Sequence, residues 1–151
     1  MPLVNKVQYT PVSTFFMPDE QTAEAVRDKI LHDVELLSVG KYPYYDWMMW
    51  NVVQLWEQVL LIHRVGQGMK GKALKQALRD ARIRSMSWIF GRSVDSTSTL
   101  DDYEIMALFH WLRDGQSESG IRLDLSSVDA VLWILRAAEC GDAKQATFAE
   151  W

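Results

Sequence analysis

The stretch 44-YYDWMMWNVVQLWEQVLLIHRV-65 decides the fold, because it is the most apolar part of the chain. Pro43 precedes it, and proline is favoured in the first turn of a helix. The polar residues recur on one side of a helix with about 3.6 residues per turn, and apolar residues fill the rest of the circumference. The pattern predicts a helix over 44–65 that is central to a core or to an interface. Its polar groups are too numerous for a membrane span.

Helical periodicity continues on both sides of this stretch. Upstream, a helix signal starts at Pro18, an apolar stripe with helical spacing follows from Ala23 to Leu37, and Gly40, a residue type that commonly ends helices, stops it. Downstream, a glycine-rich loop over 66–71 precedes a third amphipathic pattern over about 72–90. Gly91 follows it at the position where a helix is expected to end.

Two short polar patterns predict the starts of further helices. A hydroxyl residue followed three positions later by an acidic residue has the spacing of a capping box. The two pairs are Thr99 with Asp102 and Ser126 with Asp129. They predict a fourth helix that reaches Asp114 and a fifth helix over about 127–140 that ends at Gly141.

These patterns predict an all-α fold, an irregular bundle of about five helices with a short extended N-terminal arm. The 151 residues are expected to form a single helical domain. Within it we expect the extended arm over 1–17, the helical core over 18–140 and a loosely held tail over 141–151. Long strand-like alternation of polar and apolar residues is absent from the sequence.

Composition favours a cytoplasmic protein without a membrane anchor. The chain has one cysteine, Cys140, so no intramolecular disulfide can form, which suits a reducing compartment. The first residues lack the basic and apolar segments of a signal peptide. The chain carries 16 basic and 20 acidic residues, so its net charge is −4.

The basic residues are concentrated in one part of the chain. Eight of them lie between Arg64 and Arg92, against the single acid Asp80. On the third helix the pattern predicts a basic side that faces away from the apolar side. With the preceding loop lysine, its members are Lys70, Lys72, Lys75, Arg79 and Arg82. Such a side can contact the backbone of a nucleic acid or an acidic protein, or it is a solvated helix face paired with acids of the same chain.

The run Gly66-Gln67-Gly68-Met69-Lys70-Gly71-Lys72-Ala73 matches a phosphate-binding loop except at its last position. There the motif requires a serine or threonine that holds magnesium, whereas this chain has Ala73. The motif also requires a strand before the glycines, and residues 59–65 continue a helical pattern. We therefore interpret the run as a turn between two helices and expect no cofactor. A small nucleotide-binding protein or enzyme that uses this loop is the weaker alternative.

No catalytic or metal-binding signature is complete in the sequence. The three histidines, His32, His63 and His110, do not have the spacing of a metal site. Cys140 is expected to pack as a small apolar residue at a helix end. The sequence therefore favours a protein that is not an enzyme.

Seven tryptophans and seven methionines are many for 151 residues. The second, fourth and fifth helices are each apolar around most of their circumference, and a small bundle is not expected to enclose all three. Part of this surface should then form an apolar interface. The candidate residues are Trp47, Met48, Met49, Ile105 and Phe109. The leading hypothesis is an interaction protein that self-associates or binds and modulates another macromolecule, and the alternative is a nucleic-acid-associated protein.

Overall fold

A computed structural model describes residues 20–113 and 125–149 of the chain, with side chains over 23–113 and 127–140. These residues contain five α-helices and one short 3₁₀ turn joined by loops, and no strand occurs among them. The α-helices are α1 (Glu20–Gly40), α2 (Asp46–Ile62), α3 (Gly71–Phe90), α4 (Asp102–Leu112) and α5 (Leu125–Ala149), and the 3₁₀ turn is Thr97–Thr99. The predicted irregular helical bundle is confirmed. The predicted arm over 1–17 lies outside the described residues.

Glycines end α1 and α3 in different ways. Gly91 follows α3 in the left-handed conformation, with φ of 66°, as the sequence predicts. Gly40 is the last residue of α1, and the left-handed position falls on Lys41, with φ of 57°. The ring of Tyr42 lies over Gly40 so closely that a Cβ there would collide with it. Gly40 therefore makes room for an aromatic ring at the corner between α1 and α2.

The predicted caps of the last two helices are wrong. Asp101, rather than Thr99, caps α4, and it forms a complete capping box with Glu104. Helix α5 already includes Ser126 and continues through Gly141, so residues 141–149 are helical and the predicted end of the helix at Gly141 is wrong. Glycine inside a helix costs only about 1 kcal/mol relative to alanine, which tertiary packing can offset. Asp114 lies outside the described residues.

Helix α4 is the most enclosed element of the bundle. It lies between α1 and α2, and all its residues from Glu104 to Leu112 are buried except His110. Two edge-to-face contacts join it to α2: Trp111 lies 5.8 Å from Trp56, and Phe109 lies 5.2 Å from Trp47, measured between ring centroids. Buried residues from all five helices meet in one apolar cluster.

A bidentate ion pair anchors the start of α4. The guanidinium nitrogens of Arg92 donate to the two carboxylate oxygens of Glu104 over 2.5 and 2.6 Å. Burial alone would raise the pKa of Glu104, but the hydrogen bonds from Arg92 and from the backbone amide of Asp101, together with the charge of Arg92, lower it below its ordinary value.

Replacing Glu104 by glutamine should remove a pH-dependent contribution of about 1 kcal/mol to stability at neutral pH. Glutamine keeps the capping box, so the change isolates the charge. Because the folded pKa lies below the unfolded value, the contribution is complete above the unfolded pKa and is lost as the pH falls through the folded pKa. Urea unfolding should show a difference between wild type and Glu104→Gln that disappears in acid. A difference that persists at low pH would contradict this, and Glu24→Gln, at an exposed position, is the control.

Candidate interaction surface

Helix α2 has one side in the core and an opposite side that exposes large apolar residues. Its buried residues are Met48, Val52, Leu55, Trp56, Val59 and Leu60. On the opposite side, the exposed fractions are 47% for Trp47, 63% for Trp50, 49% for Leu61 and 58% for Ile62. We call this side the α2 outer face; it consists of Trp47, Trp50, Gln54, Gln58, Leu61 and Ile62. Its apolar residues lie at the two ends, and its exposed amides lie in the middle.

The aromatic end of the α2 outer face is held in place by ring contacts. Tyr45 stacks on Trp47, with the two rings 9° from parallel and their centroids 5.9 Å apart. Beneath them, the rings of Trp47 and the buried Phe109 meet edge to face, and the guanidinium of Arg113 lies 4.4 Å from the centroid of the Phe109 ring. Contacts with Tyr45 and Phe109 therefore hold the Trp47 side chain in place, while about half of its surface remains exposed to solvent. This fixed orientation reduces the entropy that a binding partner would have to overcome.

Acidic side chains accompany the aromatic end. Burial raises the pKa of the half-buried Tyr44, and the nearby negative charges of Asp46 and Asp102 raise it further. Both carboxylates are exposed and lie close enough to Tyr44 to influence its ionisation. Two cations also lie at this end: Lys41 in the turn before α2, and Arg113, whose guanidinium lies over the Phe109 ring.

The other end of the α2 outer face leads into the glycine-rich turn. Positive φ values at Arg64, Gly66, Gly68 and Gly71 reverse the chain between α2 and α3. The run that resembles a phosphate-binding loop therefore joins two helices, as predicted, and no strand precedes it. Around the turn, the exposed side chains include the cations Arg64, Lys70, Lys72 and Lys75, the apolar Met69 and the amide of Gln67, and none of them is acidic.

The predicted basic side of α3 is shorter than expected, because Arg82 points inward. Its side chain is buried, forms an ion pair with Glu57 of α2 and donates to Thr97 Oγ1 over 3.2 Å. Arg79 is exposed but donates to the backbone carbonyl of Asp95 over 2.7 Å. Lys70, Lys72 and Lys75 are exposed as predicted. Two of the five predicted contact residues thus hold the chain's own 93–99 loop.

The predicted apolar interface is corrected at three of its five residues. Met48, Ile105 and Phe109 are buried in the core, because α4 is enclosed by its neighbours and Met48 belongs to the core side of α2. Met49 is half-buried, and Trp47 is exposed as expected.

Sequence reasoning missed Trp50, Leu61 and Ile62, although the sequence contained a signal for two of them. At about 100° per residue, Trp50 and Leu61 fall between Glu57 and Gln54 on the polar side of α2. Apolar residues within a polar sector are the mark of an exposed apolar surface.

The remaining candidate residues are those that could take part in metal binding or catalysis. No group of histidine, cysteine, aspartate and glutamate side chains able to hold a metal occurs among the described residues. His63 Nε2 lies 2.6 Å from the carbonyl oxygen of Val128, which fixes its ring against α5. Cys140 is exposed, so the prediction that it packs as a small apolar residue is wrong. None of the described helices has the length and hydropathy needed to cross a membrane.

No known protein family matches this chain, and neither a curated protein nor a solved structure shows significant similarity to it.

Proposed function

We propose that this chain is a non-enzymatic interaction protein that binds a protein partner through the α2 outer face. One observation carries the proposal: two tryptophans, Trp47 and Trp50, are about half exposed or more on a helix whose other side lies in the core. Burying apolar surface stabilises a complex by about 25 cal/mol per Å², and tryptophan is enriched among the residues that dominate binding energy. A partner that covers these rings would gain more than it would from most other exposed side chains of the chain.

The arrangement of the α2 outer face also suits a protein partner. Trp47 is held by Tyr45 and Phe109, as a preorganised anchor residue would be. The exposed amides of Gln54 and Gln58 lie between the two apolar ends and offer hydrogen bonds that fix the register of a partner.

Nucleic-acid binding is the second candidate, and the exposed lysines at the start of α3 favour it. Lys70, Lys72 and Lys75 lie next to Arg64 in a part of the chain without acids before Asp80. Three or four phosphate contacts would give weak, strongly salt-dependent binding. The inward position of Arg82 and the loop contact of Arg79 leave less charge for this role than the sequence predicted.

A photo-crosslinking amino acid in place of Trp50 should give a covalent adduct with a protein when the chain is irradiated in its native cell. The same probe at Glu24, exposed on α1, is the matched control and should give much less adduct. A third probe at Lys72 tests the second candidate, because a nucleic-acid adduct there would be sensitive to nuclease. Equal adducts from positions 50 and 24, or none from position 50, would contradict the proposal; protein adducts are identified by mass spectrometry.

A further inference from the structure

We infer that the α2 outer face pairs with the same face of a second copy of this chain, with the two α2 helices antiparallel and Gln54 at the two-fold axis. This inference rests on the proposed function and names its partner. Its basis is the distribution of apolar, amide and charged residues along α2. When a second copy of the helix runs in the opposite direction, each type of residue lies opposite a residue that it can contact favourably.

The apolar residues of the α2 outer face are placed symmetrically about Gln54. Trp47 lies seven residues before it and Leu61 seven residues after it. Seven residues are about two helical turns, so all three lie on nearly the same line along the helix. In an antiparallel pair centred on Gln54, Trp47 of one copy would therefore lie against Leu61 of the other, and the arrangement would occur twice.

The charges at the two ends decide the direction of pairing. The aromatic end carries the exposed carboxylates of Asp46 and Asp102 together with the cations Lys41 and Arg113, so its charges offset one another, whereas the turn after α2 carries Arg64, Lys70 and Lys72 and no acid. A parallel pair would bring the cationic turns of both copies together, and like charges in contact oppose association. An antiparallel pair separates the two cationic turns and brings each of them to the aromatic end of the other copy, where Asp46 and Asp102 lie.

At the centre of the pair, the amide side chains of the two Gln54 residues can form hydrogen bonds with each other. Gln54 is exposed in the single chain, and an amide has both donors and an acceptor. Two glutamines that meet across a two-fold axis can therefore bond to each other, which fixes the register as a single buried amide does in coiled coils. The interface is confined to one helix face and the adjoining turn, so we expect a dissociation constant in the micromolar range.

Sedimentation equilibrium from about 1 µM to about 200 µM, a range that brackets micromolar dissociation constants, should show a reversible dimer of the full chain. Gln54→Glu and Gln54→Lys should each raise the dissociation constant about tenfold, because each places two like charges at the axis. An equimolar mixture of the two variants should restore dimerisation to at least the wild-type level. Gln76→Glu and Gln76→Lys, at an exposed glutamine of α3, are matched controls and should leave association unchanged.

The distance between equivalent positions of the two copies tests the direction of pairing. A spin label at Gln67→Cys, a neutral exposed position, in a Cys140→Ser background, should lie on the order of 25 Å or more from its copy in an antiparallel dimer, because the turn lies beyond Ile62, which is eight residues from the axis. A parallel dimer would place the two labels within about 15 Å. Pulsed electron spin resonance measures this separation directly.

Each result decides the inference. A wild-type chain that stays monomeric throughout the concentration range overturns it, while a protein adduct from position 50 with a different partner would leave the proposed function standing. The inference is also overturned if charges at position 54 leave the dissociation constant unchanged, or if mixing the two variants does not restore dimerisation. A short distance between the two spin labels overturns it as well. The absence of every adduct from position 50, with a monomeric chain, overturns both.

Discussion

Replacing Trp56 by alanine is expected to lower the free energy of unfolding by about 3–5 kcal/mol. The side chain is fully buried and lies edge-to-face against Trp111 of α4, so the substitution leaves a cavity between the two most apolar helices. A domain of this size typically has a total stability of about 5–15 kcal/mol, so the loss is a large part of it. Urea denaturation followed by circular dichroism measures the change.

Trp50→Ala is the matched control, because it removes the same side chain from the solvent-exposed side of the same helix. Its effect on unfolding should stay within about 0.5 kcal/mol when measured at a concentration where the chain is monomeric. Trp56→Phe keeps an aromatic ring but removes the indole N–H together with the second ring, so it should cost less than Trp56→Ala. Trp56 Nε1 has no hydrogen-bond partner in the described part of the chain, so its loss should cost far less than the loss of the ring. Equal losses for Trp50→Ala and Trp56→Ala would contradict the assignment of the two sides of α2.

Local patterns predicted the helices because their signals lie within a few residues of one another. The apolar repeat of 44–65 and the glycines at positions 40 and 91 depend only on backbone conformation and helical spacing. The start of α4 was misplaced by two residues for a related reason: Thr99 has a capping pattern, but Asp101 has a stronger one with Glu104. Both patterns were present, and only the structure shows that Thr97–Thr99 forms a 3₁₀ turn before the helix.

Burial was harder to predict, because it depends on which elements surround a helix. Ile105 and Phe109 belong to a helix that is apolar almost all round, a pattern typical of either an interface or a fully enclosed helix. Helix α4 is enclosed because it lies between α1 and α2. That position is set by contacts between residues distant in sequence. The sequence of α4 alone contains no signal that distinguishes the two cases.

The sequence pattern placed Arg82 on the exposed basic side of α3, although its neighbours on the helix indicated that it is buried. Leu78, Met86 and Ile89 lie four residues before, four after and seven after Arg82, so they share its side of α3. All three are buried. A basic residue within an apolar stripe is expected to find an acidic partner inside the protein. Its partner, Glu57, lies on a different helix, so helical spacing could indicate the burial of Arg82 but not the residue that compensates it.

Replacing Arg82 by methionine should lower the free energy of unfolding by about 2–3 kcal/mol. The guanidinium joins α3 to Glu57 of α2 and to Thr97 of the 3₁₀ turn, and methionine can fill only the volume of its stem. Burial lowers the pKa of Arg82, and the charge of Glu57 opposes that shift. The cost should fall below that of a fully buried pair, because one-third of the Glu57 side chain is exposed and water can solvate the orphaned carboxylate.

The measurement that isolates this pair is a double-mutant cycle. Urea unfolding of Arg82→Met, Glu57→Gln and the combined variant should give an interaction free energy of about 1–2 kcal/mol between the two side chains. Arg79→Met is the control, because Arg79 is exposed and loses only its bond to the carbonyl of Asp95, so it should cost under about 1 kcal/mol. If Arg79→Met and Arg82→Met cost the same, the two arginines act alike as surface charges. The basic side of α3 would then extend to Arg82, as the sequence alone predicts.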